Sequence, residues 1–159
     1  MAPQTGSNKK TIIIPRENAV FRMDGNGIWH NEHGRFEHPK IISHFNRSIQ
    51  KDSQGYFLSQ MIDESREEKV YFPYEDTALF IVDIRSCNNT IDLVLNTAQR
   101  LSLDPKTLFI KDDNLFLRTT DHLIKFNQQA LTKIARHLDE TDRGMVLNMG
   151  GRTFPIPEQ

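Results

Sequence analysis

The chain has 159 residues, 20 basic against 21 acidic side chains, and a single cysteine. That length suits one domain or two small ones, and the balanced charge announces neither a nucleic-acid partner nor a membrane surface. Apolar runs such as Ala78–Val82 fall far short of the roughly 20 residues that a membrane span needs. Cys87 alone excludes an internal disulfide, so a reducing cytoplasm is the expected setting.

The opening Met1–Lys10 is polar and lacks the apolar run of a secretory signal. Residues 1–18 read as a flexible N-terminal tail, in which Thr11–Pro15 is an apolar hook able to add an edge strand. Ala19–Met23 and Ile28–Asn31 read as strands. Asp24-Gly25-Asn26-Gly27 joins them, because Asp-Gly and Asn-Gly tolerate positive φ. Pro39 suits a first helical turn, with His38 as the cap. Ile41, Ile42, Phe45 and Ile49 follow at helical spacing, and Asp52–Gly55 ends that helix. Tyr56–Ile62, Val70–Tyr74 and Ala78–Ile84 read as strands, the last apolar on both faces and therefore interior.

Thr90–Leu95 opens a second set of strands. Thr107–Ile110 and Leu115–Arg118 flank the turn Asp112-Asp113-Asn114, and His122–Phe126 is a further short strand. Asn127 is a good N-cap for a helix striped by Ala130, Leu131, Ile134 and Leu138. Met145–Met149 and Arg152–Ile156 form a closing hairpin around Gly150-Gly151.

The halves can be laid over each other. At an offset of 88, Phe21, Asp24 and Asn26 fall on Phe109, Asp112 and Asn114. At 89, His38 falls on Asn127, the two helical stripes coincide, and Gly55 falls on Gly144. The expected fold class is α+β: two structurally related units, each an antiparallel sheet plus a helix, over residues 19–86 and 87–159. A seam between such units is a favoured place for a ligand.

Phe21–Trp29, the helix after Pro39, Asp52-Ser53-Gln54-Gly55-Tyr56, Glu68-Lys69-Val70 and Tyr74-Glu75-Asp76 occur in a distinctive order. Together they resemble an uncharacterised bacterial domain-of-unknown-function family (number 1285), best over residues 19–84. The resemblance implies a duplicated α+β fold whose second half is superficially like a pleckstrin-homology domain. It also implies a site at the seam that recognises protein or peptide in signalling. In that family the acidic pair is followed by a small residue and then proline; here Thr77-Ala78-Leu79 follows without it.

Trp29, Tyr56, Tyr74, Glu75 and Asp76 are the candidate binding residues at the seam. Aromatics bury area while keeping a polar handle, and carboxylates can accept from backbone amides or from a partner's Arg or Lys. Adjacent carboxylates on an extended chain point to opposite faces, so Glu75 and Asp76 cannot form an acid/base dyad with each other. His30, His33, His38 and His44 lie close in sequence, yet their spacing matches no metal motif. Asp24 and Asn26 belong to a turn, since the remaining ligands of a calcium loop are missing. Neither a metal nor a cofactor is expected.

Cys87 has no local base to activate it. The chain contains no nucleophile elbow, phosphate-binding loop or dinucleotide fingerprint. Met61–Asp76 carries six acidic and two basic residues, which would repel nucleic acid and mildly steer a basic partner. The resulting expectation is a non-catalytic cytoplasmic module for a protein or peptide, with no nucleic-acid partner and no membrane insertion. The alternative is an enzyme that pairs His30 or His33 with Glu75, which requires those side chains to converge within hydrogen-bond reach.

Overall fold

Three consecutive isoleucines lie in the first element of the described residues. The structure, a computed structural model, describes residues 10–159. Strand β1 (Lys10–Ile14) leads into a 3-10 turn at Arg16–Asn18. Residues 10–18 of the expected flexible tail are ordered backbone. β1 gains its order by parallel pairing, from Lys10 opposite Arg66 to Ile14 opposite Val70. The rest of the expected tail lies outside the described residues.

The chain divides after Glu75, and the second unit is Asp76–Gln159. Residues 76–86, expected in the first unit, go with the second, because the strand Phe80–Cys87 finds its ladder partners there.

In the first unit, β2 (Phe21–Met23), β3 (Trp29–Asn31) and β4 (Gly34–Arg35) form an antiparallel sheet of their own. The Asp24 side chain closes its first turn. Its Oδ1 accepts from the N–H groups of Asn26 at 2.8 Å and Ile28 at 3.0 Å, and Gly27 supplies the positive φ of 78°. Helix α1 (Pro39–Arg47) follows, then β5 (Ile49–Asp52), β6 (Gly55–Asp63) and β7 (Arg66–Tyr71). The second sheet has the order β1-β7-β6-β5.

The helix stripe is shorter than its spacing predicts. Ile49 does not extend α1; it opens β5, opposite Leu58. Ile41 stays 47% exposed, so Phe45 supplies the aromatic contact of this helix, meeting Phe21, Trp29 and Phe36 edge to face. Met23, Trp29 and Phe72 are the most deeply buried side chains of this unit, with Tyr56, Leu58 and Val70 also in its core.

The second unit contains β8 (Phe80–Cys87), β9 (Thr90–Leu95), β10 (Arg100–Ser102), β11 (Leu108–Lys111), β12 (Asn114–Arg118) and β13 (Leu123–Phe126). They form one open sheet in the order β10-β9-β8-β13-β12-β11. β8 lies inside it, as its apolar centre predicts: Phe80 is 1% and Ile81 0% exposed. Helix α2 (Gln128–Ile134) is capped by Asn127, whose Oδ1 accepts from the Ala130 N–H at 2.9 Å. Ala130 and Ile134 are fully buried. Leu138, like Ile49, opens a strand rather than ending a helix. β14 (Leu138–Thr141), β15 (Gly144–Met149) and β16 (Arg152–Pro155) complete a separate three-stranded sheet.

The two units repeat one order: hairpin, third strand, helix, three-stranded meander. The register repeats too. Ile49 faces Leu58 and Asp52 faces Gly55 in the first unit, as Leu138 faces Leu147 and Thr141 faces Gly144 in the second. Gly55 and Gly144 share one positive-φ conformation, with φ of 120° and 112°. A side chain is strained there, which explains a glycine at both places.

Candidate binding site

The aromatic residues expected at a binding surface separate by depth. Trp29 is 1% exposed. Its ring packs against Phe21, Phe45 and Phe72, and its Nε1–H donates to Asn46 Oδ1 at 2.8 Å. An indole that satisfied and that covered anchors the core of the first unit. Tyr56 is buried as well, with Tyr74 edge-on at 5.1 Å.

Tyr74 links this interior to the surface. Its hydroxyl lies so near Gly55 that a Cβ there would meet it at 3.0 Å. The Arg16 guanidinium lies 5.2 Å from the Tyr74 ring centroid, a favourable cation–π position. Arg16 also lines an open hollow of about 590 Å³ with Ile13, Pro15, Glu17, Gln54 and Tyr71. Ile13 projects from β1 into solvent at 60% exposure.

The hollow has a polar flank. The Tyr71 hydroxyl donates to Asp52 Oδ2 at 2.5 Å, and Lys69 Nζ approaches the same oxygen at 3.2 Å. Lys69 also lies 4.4 Å from the centroid of Phe57. The Tyr71 bond, aided by the Gln54 N–H and Lys69 and opposed by burial, holds the Asp52 carboxyl below its ordinary value. The same bond raises the Tyr71 phenol. Sequence reasoning missed Arg16 and Tyr71. Asp52 lay in the Asp-x-x-Gly-Tyr motif and Lys69 in Glu68-Lys69-Val70, but only strand register brings the two together beside Tyr71.

Glu75 and Asp76 are exposed and directed to different partners. The Glu75 carboxylate covers Gly25, where a Cβ would meet its Oε1 at 2.8 Å. Asp76 Oδ2 accepts from Lys125 Nζ at 3.2 Å, and Lys125 is only 7% exposed. This contact gives a buried cation its counter-charge. Thr77, next in the chain, donates through Oγ1 to the Leu123 carbonyl at 2.7 Å.

The histidines take local partners. His30 Nε2 lies 2.7 Å from Asp24 Oδ2, and His33 Nε2 lies 3.4 Å from Glu32 Oε1. Neither ring pairs with Glu75. His38 makes no side-chain cap to α1. Among the described residues, no group of three or more His, Cys, Asp and Glu side chains stands where it could hold a metal ion. Among the same residues, no helix is long and apolar enough to cross a membrane.

Open, mostly antiparallel sheets with two short helices define a mixed α+β protein. Two solved structures share the fold. One is the crystal structure of a DUF1285 family protein from Silicibacter pomeroyi DSS-3. It is 11% identical with a TM-score of 0.59, over 98% of this chain and 86% of that one. The other is a DUF1285 family protein from Shewanella baltica OS155, 17% identical with a TM-score of 0.51, over 74% of this chain and 91% of that one. No protein-family model and no curated protein matches the chain. At these identities the likeness is one of fold, and that fold is the one the sequence motifs imply.

Proposed function

We propose that the chain is a non-catalytic binding module that takes an extended segment of a protein or peptide along the margin of the first unit's β1-β7-β6-β5 sheet. The observation that carries this reading is the hollow beside β1. Among the described residues β1 is the last strand of its sheet, and adding a strand at a sheet margin is a recurring way to capture a peptide. The hollow's volume of about 590 Å³ lies within the usual range for ligand sites. Ile13 and Pro15 offer apolar contact, while Arg16 and Gln54 offer donors. The proposed setting is a reducing cytoplasm, in keeping with the lone, exposed Cys87, and the proposed role is in bacterial signal transduction.

Panning a displayed library of random peptides against the immobilised chain tests the reading. Enriched peptides should bind at least about ten-fold more weakly to Ile13→Asp and Arg16→Glu, a change worth about 1.4 kcal/mol. Both side chains are exposed, so both variants should fold, with Arg16→Glu losing its contact with the Tyr74 ring. N-methylation of alternate peptide amides should abolish binding. Peptides that bind both variants as well as the parent chain would remove the β1 margin as the capture surface.

A further inference from the structure

A different chemistry occupies the outer face of the β2-β3-β4 sheet. Register places Arg22 opposite His30 and His30 opposite Arg35. Residues directly opposite share a face, so three basic side chains stand in one row across three strands. Their neighbours Met23 and Trp29 alternate to the other face and fill the core. With strands about 4.8 Å apart, the two arginine backbones stand about 10 Å apart on either side of His30.

Arg22 and Arg35 set two like charges on this face, one on each side of His30. Two carboxylates of this region lie beside imidazoles: Asp24 beside His30 and Glu32 beside His33. Arg22 and Arg35 are both exposed, and among the described residues neither guanidinium has a carboxylate within ion-pair reach. Apolar hollows flank the row. One, of about 440 Å³, sets Val20, Phe21 and Pro73 beside Arg22. The other, of about 390 Å³, sets Phe36, Ile41 and Phe45 beside Arg35. Asn31 lines both. Val20 at 79% and Ile41 at 47% exposure are apolar groups left in water at the two ends.

We infer that the Arg22–His30–Arg35 row is a recognition surface for an acidic peptide in which apolar and acidic residues alternate. The planar guanidinium groups pair with carboxylates through paired hydrogen bonds, and the hollows at the two ends of the row seat apolar side chains. Glu32 lines the first hollow and Glu37 the second. Both oppose a dense polyanion, so nucleic acid and an anionic bilayer fit this surface less well than a peptide. The surface is separate from the β1 margin and does not rest on it.

The probe is a fluorescein-labelled Leu-Glu-Leu-Glu-Leu-Glu peptide, followed by fluorescence polarisation. A Lys-for-Glu version, a labelled oligothymidylate and phosphatidylglycerol vesicles are the comparisons. The acidic peptide should bind, weaken as salt rises, and weaken at least about ten-fold with Arg22→Glu and with Arg35→Glu. Arg47→Glu makes the same charge change at the exposed end of α1 and should alter binding by less than about two-fold. Ile13→Asp should leave binding unchanged, which separates this surface from the β1 margin. Absent binding of the acidic peptide, or an equal loss in Arg47→Glu, overturns the inference. Tighter binding of the oligothymidylate or the vesicles overturns it in favour of that polyanion.

Discussion

Asp52 ties together two strands and a turn of the first unit through one side chain. One carboxyl oxygen accepts from Tyr71 and pairs with Lys69, while the other accepts from the Gln54 N–H at 2.9 Å. Because the folded chain holds this carboxyl below its ordinary 3.8, the ionised form favours folding at neutral pH. That contribution is complete above about pH 4 and drains away as the pH falls further and the folded-state carboxyl takes its proton. Asp63, held down to about 2 by the Ser65 N–H and Arg66, adds to the same acid limb. Asp52→Asn keeps an acceptor for Tyr71 but cannot titrate. Its melting temperature should therefore fall less steeply than the parent's between about pH 4 and pH 2. Parallel slopes in scanning calorimetry would show that Asp52 titrates alike in folded and unfolded chains. Trp29 makes a contrasting point at the same scale. Its position after a turn fits a pocket wall as well as a core anchor, and only the packing of Phe21, Phe45 and Phe72 assigns it to the core.

The helices start alike in backbone but not in side chain. His38 and Asn127 both have the extended conformation of an N-cap, yet only Asn127 accepts from its helix. Asn127→Ala should cost about 1 kcal/mol. His38→Asn should gain a few tenths to about 1 kcal/mol, since the backbone is already placed for a short acceptor. Urea midpoints measure both, and a loss of stability from His38→Asn would mean the imidazole has a role that a cap cannot replace. Elements were legible where one residue type enforces one geometry. Pro39 began a helix, Asn127 capped one, and Asp24 with Gly27 closed a hairpin. Ile49 and Leu138 misled, because a position four residues after Phe45 or Ile134 fits both the last helical turn and the first residue of a following strand. The Arg22–His30–Arg35 row was illegible for a related reason: it exists only once three short strands take one register.

At the scale of the whole chain, repetition explains why the fold was readable despite weak motifs. Turn, third strand, helix and meander recur in order, and each copy supports the reading of the other. The division after Glu75 was not readable, because the apolar strand β8 fits either unit until its partners β9 and β13 are known. Among the described residues, every strand pairing of the sheets falls within one unit or the other. The chain's one tryptophan and three tyrosines, at positions 29, 56, 71 and 74, all lie in the first unit. Intrinsic fluorescence therefore reports the first unit alone, whereas far-ultraviolet circular dichroism reports strands and helices of both. If the sheets hold each unit together independently, urea unfolding should show different midpoints by the two probes. Coincidence of probes is the mark of a two-state transition. Coincident midpoints, with one slope that matches the surface exposed by all the described residues, would show instead that the two units unfold as a single cooperative body.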